Sequence, residues 1–335
     1  MGHRNYGNVN CGLIWKIAIF LGLAICGCSV GGSPSPPPAK KPVPAKTSGP
    51  EGFKPPNALE RSLAIGSDAP TFFLTMESFF EPIKEPTSRD WLADHQEKGQ
   101  TYPQYEALEP NMPRAPRDKI YLLPLGEFSS GDPSLEKIQD YTTRFFGLEV
   151  VLLEGETNPT FTGRTDLFTK KKQWLTSDIL SHLETKLPED AYCLLGVTMT
   201  DLYPSESWNY VFGIATLKKR VGVYSLARYD PQFFGNSRGE DWDKKALERS
   251  CKVLAHETCH MMGMAHCIYF DCLMNGTNHL DELDGQNTFL CPVCLRKLQR
   301  AVRPDFLERY RHLKDFFEAN GLEEQKLWVS RVLES

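Results

Sequence analysis

From about residue 118 onward, apolar runs alternate with short polar breaks, and the spacing of the breaks predicts strands and helices in turn. Residues 120–125 read as a strand, Leu135–Phe146 as an amphipathic helix and 148–153 as a second strand. Residues 177–186 carry a helical pattern, 192–199 form a β-rich apolar run, and 211–215 and 221–226 have the composition of two further strands. Such alternation predicts a sheet with helices packed on it. A long helix is expected from Asp241 or Trp242 to Met262, with Asp241 or Asp243 as its cap and Gly263 ending it in a left-handed conformation. Past Cys294 the pattern turns helical again. Phe306, Leu307, Tyr310, Leu313, Phe316 and Phe317 fall on one face that stops at Gly321, a stripe read as core packing. No internal repeat is visible.

Upstream the pattern changes. Residues 69–117 are aromatic and proline-rich without a clear period, which predicts a wrapped extension with one short helix near Trp91. The stretch GGSPSPPPAKKPVPAKTSGP, from Gly31 to Pro50, cannot bury a core and reads as a tether. At the start, His3, Arg4 and Lys16 flank an apolar run over 17–25 that is too short to span a bilayer comfortably. It ends in Cys26-Gly27-Cys28-Ser29, which resembles a bacterial lipoprotein processing site with Cys28 as the lipidated first residue. The expectation is an exported, membrane-anchored protein facing the periplasm or exterior. Tyr6, where Ser or Thr would be needed, argues against N-myristoylation. The expected organisation is a leader over 1–28, a linker over 29–58, an extension over 59–117 and one domain over 118–332.

Composition adds little until the cysteines and histidines are located. Apolar content of 41% and charged content of 24% suit a soluble globular chain. A net charge of −5 without a basic stripe excludes a typical nucleic-acid binder. Six of the ten cysteines, however, fall between Cys251 and Cys294, and three of the eight histidines lie within eleven positions. Clustering of this kind points to metal before disulfides.

The segment carrying the chemistry is His256-Glu257-Thr258-Cys259-His260-Met261-Met262-Gly263-Met264-Ala265-His266. Positions i and i+4 stack on one helix face, so His256 and His260 can present two imidazoles to one metal. A third ligand from the same turn would crowd them. Gly263 permits a sharp reversal that returns His266 from outside the helix. Three nitrogens leave a tetrahedral zinc one open position for water, beside which Glu257 can act as general base and then general acid. That is the equipment for hydrolysing an amide bond. Directly after His266 come Cys267-x4-Cys272 and Cys291-x2-Cys294. Four thiolates in two close pairs suit a structural zinc; a disulfide set is the competing reading, which export would favour, but a two-residue gap is strained as a disulfide and common for metal. Cys193, Cys251 and Cys259 read as buried free thiols. Met274, just downstream, reads as a methionine turn that supports the three-histidine site without ligating it.

The run HETCHMMGMAHCIYFDCLMNGTNHLDELDGQNTFLCPVCLRKL resembles the archaemetzincins, or archaelysins, of the metzincin clan. Upstream, LGVTMTDLY, VFGIA and VYSLARY resemble the family's sheet segments, and WLADHQEKGQTYPQYEAL and KIYLLPLG the region before the domain in animal-type members. The likeness covers about residues 60–330. It implies an α+β, metzincin-like zincin fold: a mixed twisted sheet with packed helices, a zinc-binding active-site helix and a small C-terminal helical subdomain. It also implies two zinc ions per chain, one catalytic on the histidines and one structural on the cysteines, and a peptide substrate, with aminopeptidase action as the usual family label. A sheet-edge strand pairs with substrate in metzincins, and 221–226 is the candidate here, with an interior place in the sheet as the alternative. An aminopeptidase further needs an acidic group for the substrate's amine, for which Glu282 and Asp284 are candidates. The alternative is a zinc-stabilised, non-catalytic binding or scaffold protein, which the 69–117 extension lying across the cleft would favour.

Overall fold

The computed structural model describes residues 52–216 and 218–335, so the expected leader, Cys28 and most of the linker lie outside the described residues. The segment ahead of the sheet is helical, with α1 (Ala58–Ile65), α2 (Thr71–Met76), α3 (Trp91–Asp94) and α4 (Tyr102–Ala107). Between residues 69 and 117 the sequence pattern predicts only one helix, near Trp91. Helices of four to six residues are too short for a period to show. Local caps start two of the four helices. Asn57 with Glu60, and Thr101 with Gln104, each close a reciprocal capping box.

The main body opens with β1 (Lys119–Leu125), α5 (Leu135–Phe146) and β2 (Val150–Leu152). It continues through β3 (Gly163–Thr165), β4 (Lys172–Leu175), α6 (Thr176–Lys186), β5 (Ala191–Thr198), β6 (Asp201–Tyr203), β7 (Gly213–Thr216) and β8 (Val221–Ser225). Strand order in the main sheet is β2-β1-β5-β8-β7, parallel throughout except for β7, which runs antiparallel to β8. All of β5 is buried, which is why it reads as one continuous apolar run: helices or loops cover both of its faces. Ser134 caps α5 by accepting from the Lys137 amide, and Gly147, at φ +64°, ends it.

One expectation is corrected here. The 221–226 strand lies inside the sheet between β5 and β7, so it offers no edge; the edges are β2 and β7. The chain doubles back between β7 and β8, and the hairpin partner covers β8. The sequence reading also misses a second, three-stranded sheet of order β3-β4-β6, whose strands are three or four residues long.

Five helices complete the chain: α7 (Trp242–Met261), α8 (Leu280–Gly285), α9 (Pro292–Val302), α10 (Phe306–Ala319) and α11 (Glu323–Glu334). Helix α7 spans almost the expected range, although Asp241 makes no side-chain cap bond. On α10, Phe306, Tyr310, Leu313, Phe316 and Phe317 are buried as a stripe, while Leu307 is 46% exposed. One residue is about 100° of helix rotation, enough to carry Leu307 off the face. Phe316 and Phe317 pack on Tyr141 of α5. Ile65, Phe73 and Tyr105 of the N-terminal segment share one apolar core with α7, α9 and the four clustered cysteines.

The two sheets are joined by a buried ion pair. Arg228, in the turn after β8, forms a two-pronged bond to Asp201 of β6 at 2.8 and 2.7 Å, and Gln173 of β4 donates to the same carboxylate at 2.8 Å. Replacing Arg228 with Met leaves a buried carboxylate without its cation and is expected to destabilise the fold by about 3–5 kcal/mol. Chemical denaturation of the variant measures this; a change within 1 kcal/mol, taking about that as the error of the method, would contradict it.

Candidate metal centre and active site

Helix α7 places His256 and His260 one turn apart, with their rings nearly perpendicular and Nε2 atoms 2.8 Å from each other. The chain then reverses at Gly263, whose φ of +85° is open to glycine at no steric cost. The reversal brings the His266 ring to centroid distances of 5.3 Å from His256 and 4.8 Å from His260. One nitrogen from each ring lies within 4.8 Å of the other two.

The second nitrogens fix which atoms point inward. His256 Nδ1 lies 2.8 Å from the Leu273 carbonyl, and His260 Nδ1 lies 2.7 Å from the Met264 carbonyl. A carbonyl can only accept, so each Nδ1 carries the proton. Burial lowers the His256 pKa to about 3 and drives that of His260 well below the ordinary histidine value, so both rings are neutral. Their facing Nε2 atoms are therefore both lone-pair acceptors with no proton to share. His266 Nε2 is buried and has no hydrogen-bond partner among the described residues. Two facing lone pairs and a third buried nitrogen without a partner form a set that fits a cation, and imidazole nitrogen in threes is zinc chemistry.

Glu257, next along the helix, is 5% exposed and lines a cleft of about 20 Å³ together with His256 and His266. Burial pushes its carboxyl up to about 7, against a smaller opposing effect of His266. The cleft's other walls are Phe212 and Tyr229 on the sheet side, and Thr277, Leu280 and Leu283 around α8. No residue of 69–117 is among those that line it. Lys252, one turn before His256, is buried beside it. Its ammonium donates to the Leu283 and Gln286 carbonyls at 3.2 and 2.6 Å and pairs with Glu248 at 3.1 Å, fastening α8 to α7.

The four cysteines meet as the spacing predicts. Cys267, Cys272, Cys291 and Cys294 are buried, none is in a disulfide, and their sulfurs all lie within 4.8 Å of one another. Cys267 and Cys291 sulfurs are 3.6 Å apart, close to the roughly 3.8 Å edge of a zinc–sulfur tetrahedron with 2.3 Å bonds. Amides of Met274 and Cys291 point at the Cys272 sulfur, the arrangement a thiolate rewards. Desolvation opposes ionisation of Cys267, yet hydrogen bonds from the other three thiols outweigh it and hold that group well below the ordinary range. Cys193, Cys251 and Cys259 are buried and unbridged, and Cys259 lies in α7. Met274 is fully buried under the site, and its carbonyl accepts from the Cys267 amide at 2.7 Å. The cysteine cluster, the methionine and His256 are thus one connected unit, since the Leu273 carbonyl next door holds His256.

The structure separates the two acidic candidates. Asp284 is gripped by Arg249 at 2.8 and 2.7 Å. Glu282 caps backbone amides of Trp91 and Asn278, and lines a second cavity of about 300 Å³ with Glu81, Glu85, Asp90 and Asp271. Thr277 and Gln286 line both cavities.

Sequence reasoning missed what stands behind His266. Its Nδ1 bonds to the Glu97 carboxylate at 2.8 Å, from a segment 169 residues away. Burial of Glu97 opposes its ionisation, but hydrogen bonds from His266 and Trp91 prevail and hold it below the ordinary value. Gln100 accepts from the Ala265 amide and donates to the Gly263 carbonyl, each at 3.2 Å, and Tyr105 donates to the Met262 carbonyl at 2.9 Å. No spacing rule links positions so distant, so only the tertiary structure could reveal them.

A family profile described as Peptidase family M54 matches residues 161–300. Archaemetzincin-2 of Mus musculus is 35% identical over 286 residues, covering 75% of this chain and 79% of that protein. Archaemetzincin-1 of Homo sapiens is 33% identical over 263 residues, covering 70% of this chain and 53% of that protein. Among solved structures, the archaemetzincin of Methanopyrus kandleri is 28% identical with a TM-score of 0.42, and covers 57% of this chain and 99% of its own.

The bend itself is open to test. A Cβ at Gly263 would stand 2.7 Å from the Pro110 side chain, in addition to the strain of a positive φ. Gly263→Ala is expected to lower stability by about 2 kcal/mol and to loosen the His266 segment, as read by denaturation and by faster amide exchange across 262–268. Exchange rates equal to wild type would show that the bend does not depend on glycine.

Proposed function

The chain belongs to the archaemetzincin family, the zinc metallopeptidases of peptidase family M54, and on that premise we propose that Glu257 is the general base of its peptide-bond hydrolysis. The catalytic zinc is assigned to His256, His260 and His266, and a second, structural zinc to Cys267, Cys272, Cys291 and Cys294. The observation that carries this reading is the convergence of three imidazole nitrogens, two of them facing lone pairs with no proton to share, one residue from a carboxylate in the same cleft. A zinc ion held there would supply Lewis acidity, lowering the pKa of water to about 7 and polarising a peptide carbonyl. The Glu257 carboxylate takes a proton from the attacking water and returns it to the leaving amine.

Aminopeptidase action is the finer form of the reading. Its support is the adjoining cavity, which shares Thr277 and Gln286 with the cleft and carries Glu282, the candidate not already consumed by an arginine. Strand β7, at the sheet edge, is the element available for pairing with an extended peptide. The lipoprotein-like leader supports action outside the cytoplasm from a membrane tether at Cys28.

Glu257→Gln is expected to retain metal and lower peptide hydrolysis by about a hundredfold or more. A variant with full activity would remove Glu257 from the mechanism. Elemental analysis should give two zinc ions per wild-type chain, falling to about one in Cys291→Ser; an unchanged count would refute the cysteine site. Glu282→Gln should raise KM for substrates with a free amino terminus and leave N-acetylated ones unaffected, and equal effects on both would sink the aminopeptidase assignment.

A further inference from the structure

The three histidines are not held alike. Main-chain carbonyls of Leu273 and Met264 fix His256 and His260, and no side-chain substitution removes a carbonyl. His266 is fixed by one side chain, Glu97, on the loop between α3 and α4. The same carboxylate oxygen that meets His266 Nδ1 at 2.8 Å also accepts the Trp91 indole N–H at 3.0 Å. Trp91 in turn stands edge-on against the His266 ring, at 5.3 Å and 83°, and its far face is stacked on His95. The anchor is well braced. Gly276 gives Trp91 its space, since a Cβ there would lie 2.4 Å from the indole, and Gly99 lets the loop approach Ile268.

We propose that Glu97 is a positioning residue of the catalytic zinc. It fixes the tautomer and orientation of His266 from outside the stretch that supplies the ligands, and so sets how tightly that one site retains its metal. The proposal rests on the zinc assignment made above for the three histidines. Its physical basis is that His266 arrives on an irregular loop after a glycine bend, where the backbone does not dictate the ring's rotation. A carboxylate at hydrogen-bond distance keeps the proton on Nδ1, leaves the Nε2 lone pair facing His256 and His260, and makes the ring a stronger donor to a cation. Two features make this separable from simple packing. The bond is to the ring atom opposite the ligating one, and nothing links Glu97 directly to the cysteine site among the described residues. The N-terminal segment is therefore part of the metal centre, although it lies outside the residues 161–300 that match the family profile.

The test uses the full chain as wild type, Glu97→Ala, Glu97→Gln and Trp91→Phe, with zinc or cobalt as the probe. Chelator competition is expected to show one of the two sites weakened about 10- to 100-fold in Glu97→Ala. Glu97→Gln, which keeps an acceptor oxygen, and Trp91→Phe, which keeps the ring, should show smaller losses. The cobalt d–d bands of the histidine site should change, while the sulfur-to-cobalt bands of the cysteine site and the melting of the metal-free chain stay as in wild type. Wild-type affinity at the histidine site in Glu97→Ala overturns the proposal. So does an equal loss at both sites together with a lower melting point of the metal-free chain, which would mark Glu97 as structural only. If the wild-type chain itself binds metal only at the cysteines, the zinc assignment fails along with the proposal; a wild type with two metals and an unaffected Glu97→Ala overturns this inference alone.

Discussion

Two imidazoles four residues apart on a helix can face one ion, but the helix that aligns them cannot turn a third toward the same point. Delivering His266 is the constraint around which the rest of this molecule is arranged. Gly263 reverses the chain, and Pro110 and Tyr105 pack against the reversal. The next residue after His266 is a member of the four-cysteine cluster, which anchors the loop where regular structure is absent. The Met274 carbonyl bonds to Cys267, and the Leu273 carbonyl bonds to His256, so the second site is wired to the first through two adjacent backbone groups. The two donor sets meet at adjacent residues, His266 and Cys267, so the cysteine cluster supports a loop that has no helix or strand to hold it.

Electrostatics makes the same region dependent on what binds it. Three imidazoles, one carboxyl and four thiols are buried within a short stretch of chain. Clustered donor atoms of this kind favour a cation between them, so binding one would stabilise the segment from α7 through α9 beyond its own apolar packing. Buried Lys252 and half-buried Glu97 have their partners supplied, and each ties a separate piece of chain to the site: Lys252 the α8 wall, Glu97 the N-terminal loop.

Much of this was legible from residue order. Helix α5 appears at the residues its periodicity marks, because its apolar face is continuous and both of its caps, Ser134 and Gly147, are written in adjacent positions. The main strands are equally plain, since burial on both faces leaves unbroken apolar runs. The β3-β4-β6 sheet and helices α2 and α4 were not visible: their segments are short and lack a clear period, and the sheet is held by the Arg228–Asp201 pair, which no local pattern announces. Strand order was likewise beyond reach, and the strand over 221–226 proved interior because edge or interior status depends on which strand comes to lie beside it.

Residue spacing by itself determined the donors: an i, i+4 pair on a helix, a glycine and a third histidine at a fixed offset, two close cysteine pairs, and a carboxylate beside the first ligand. Those relations are short-range, and helix geometry converts them directly into positions in space. Tertiary structure alone decided which nitrogen of each ring points inward, that Asp284 is consumed by Arg249 while Glu282 opens onto a cavity, and that a carboxylate from residue 97 stands behind residue 266. These are contacts between segments far apart in the chain. They are set by packing of the whole core, which no local sequence window contains.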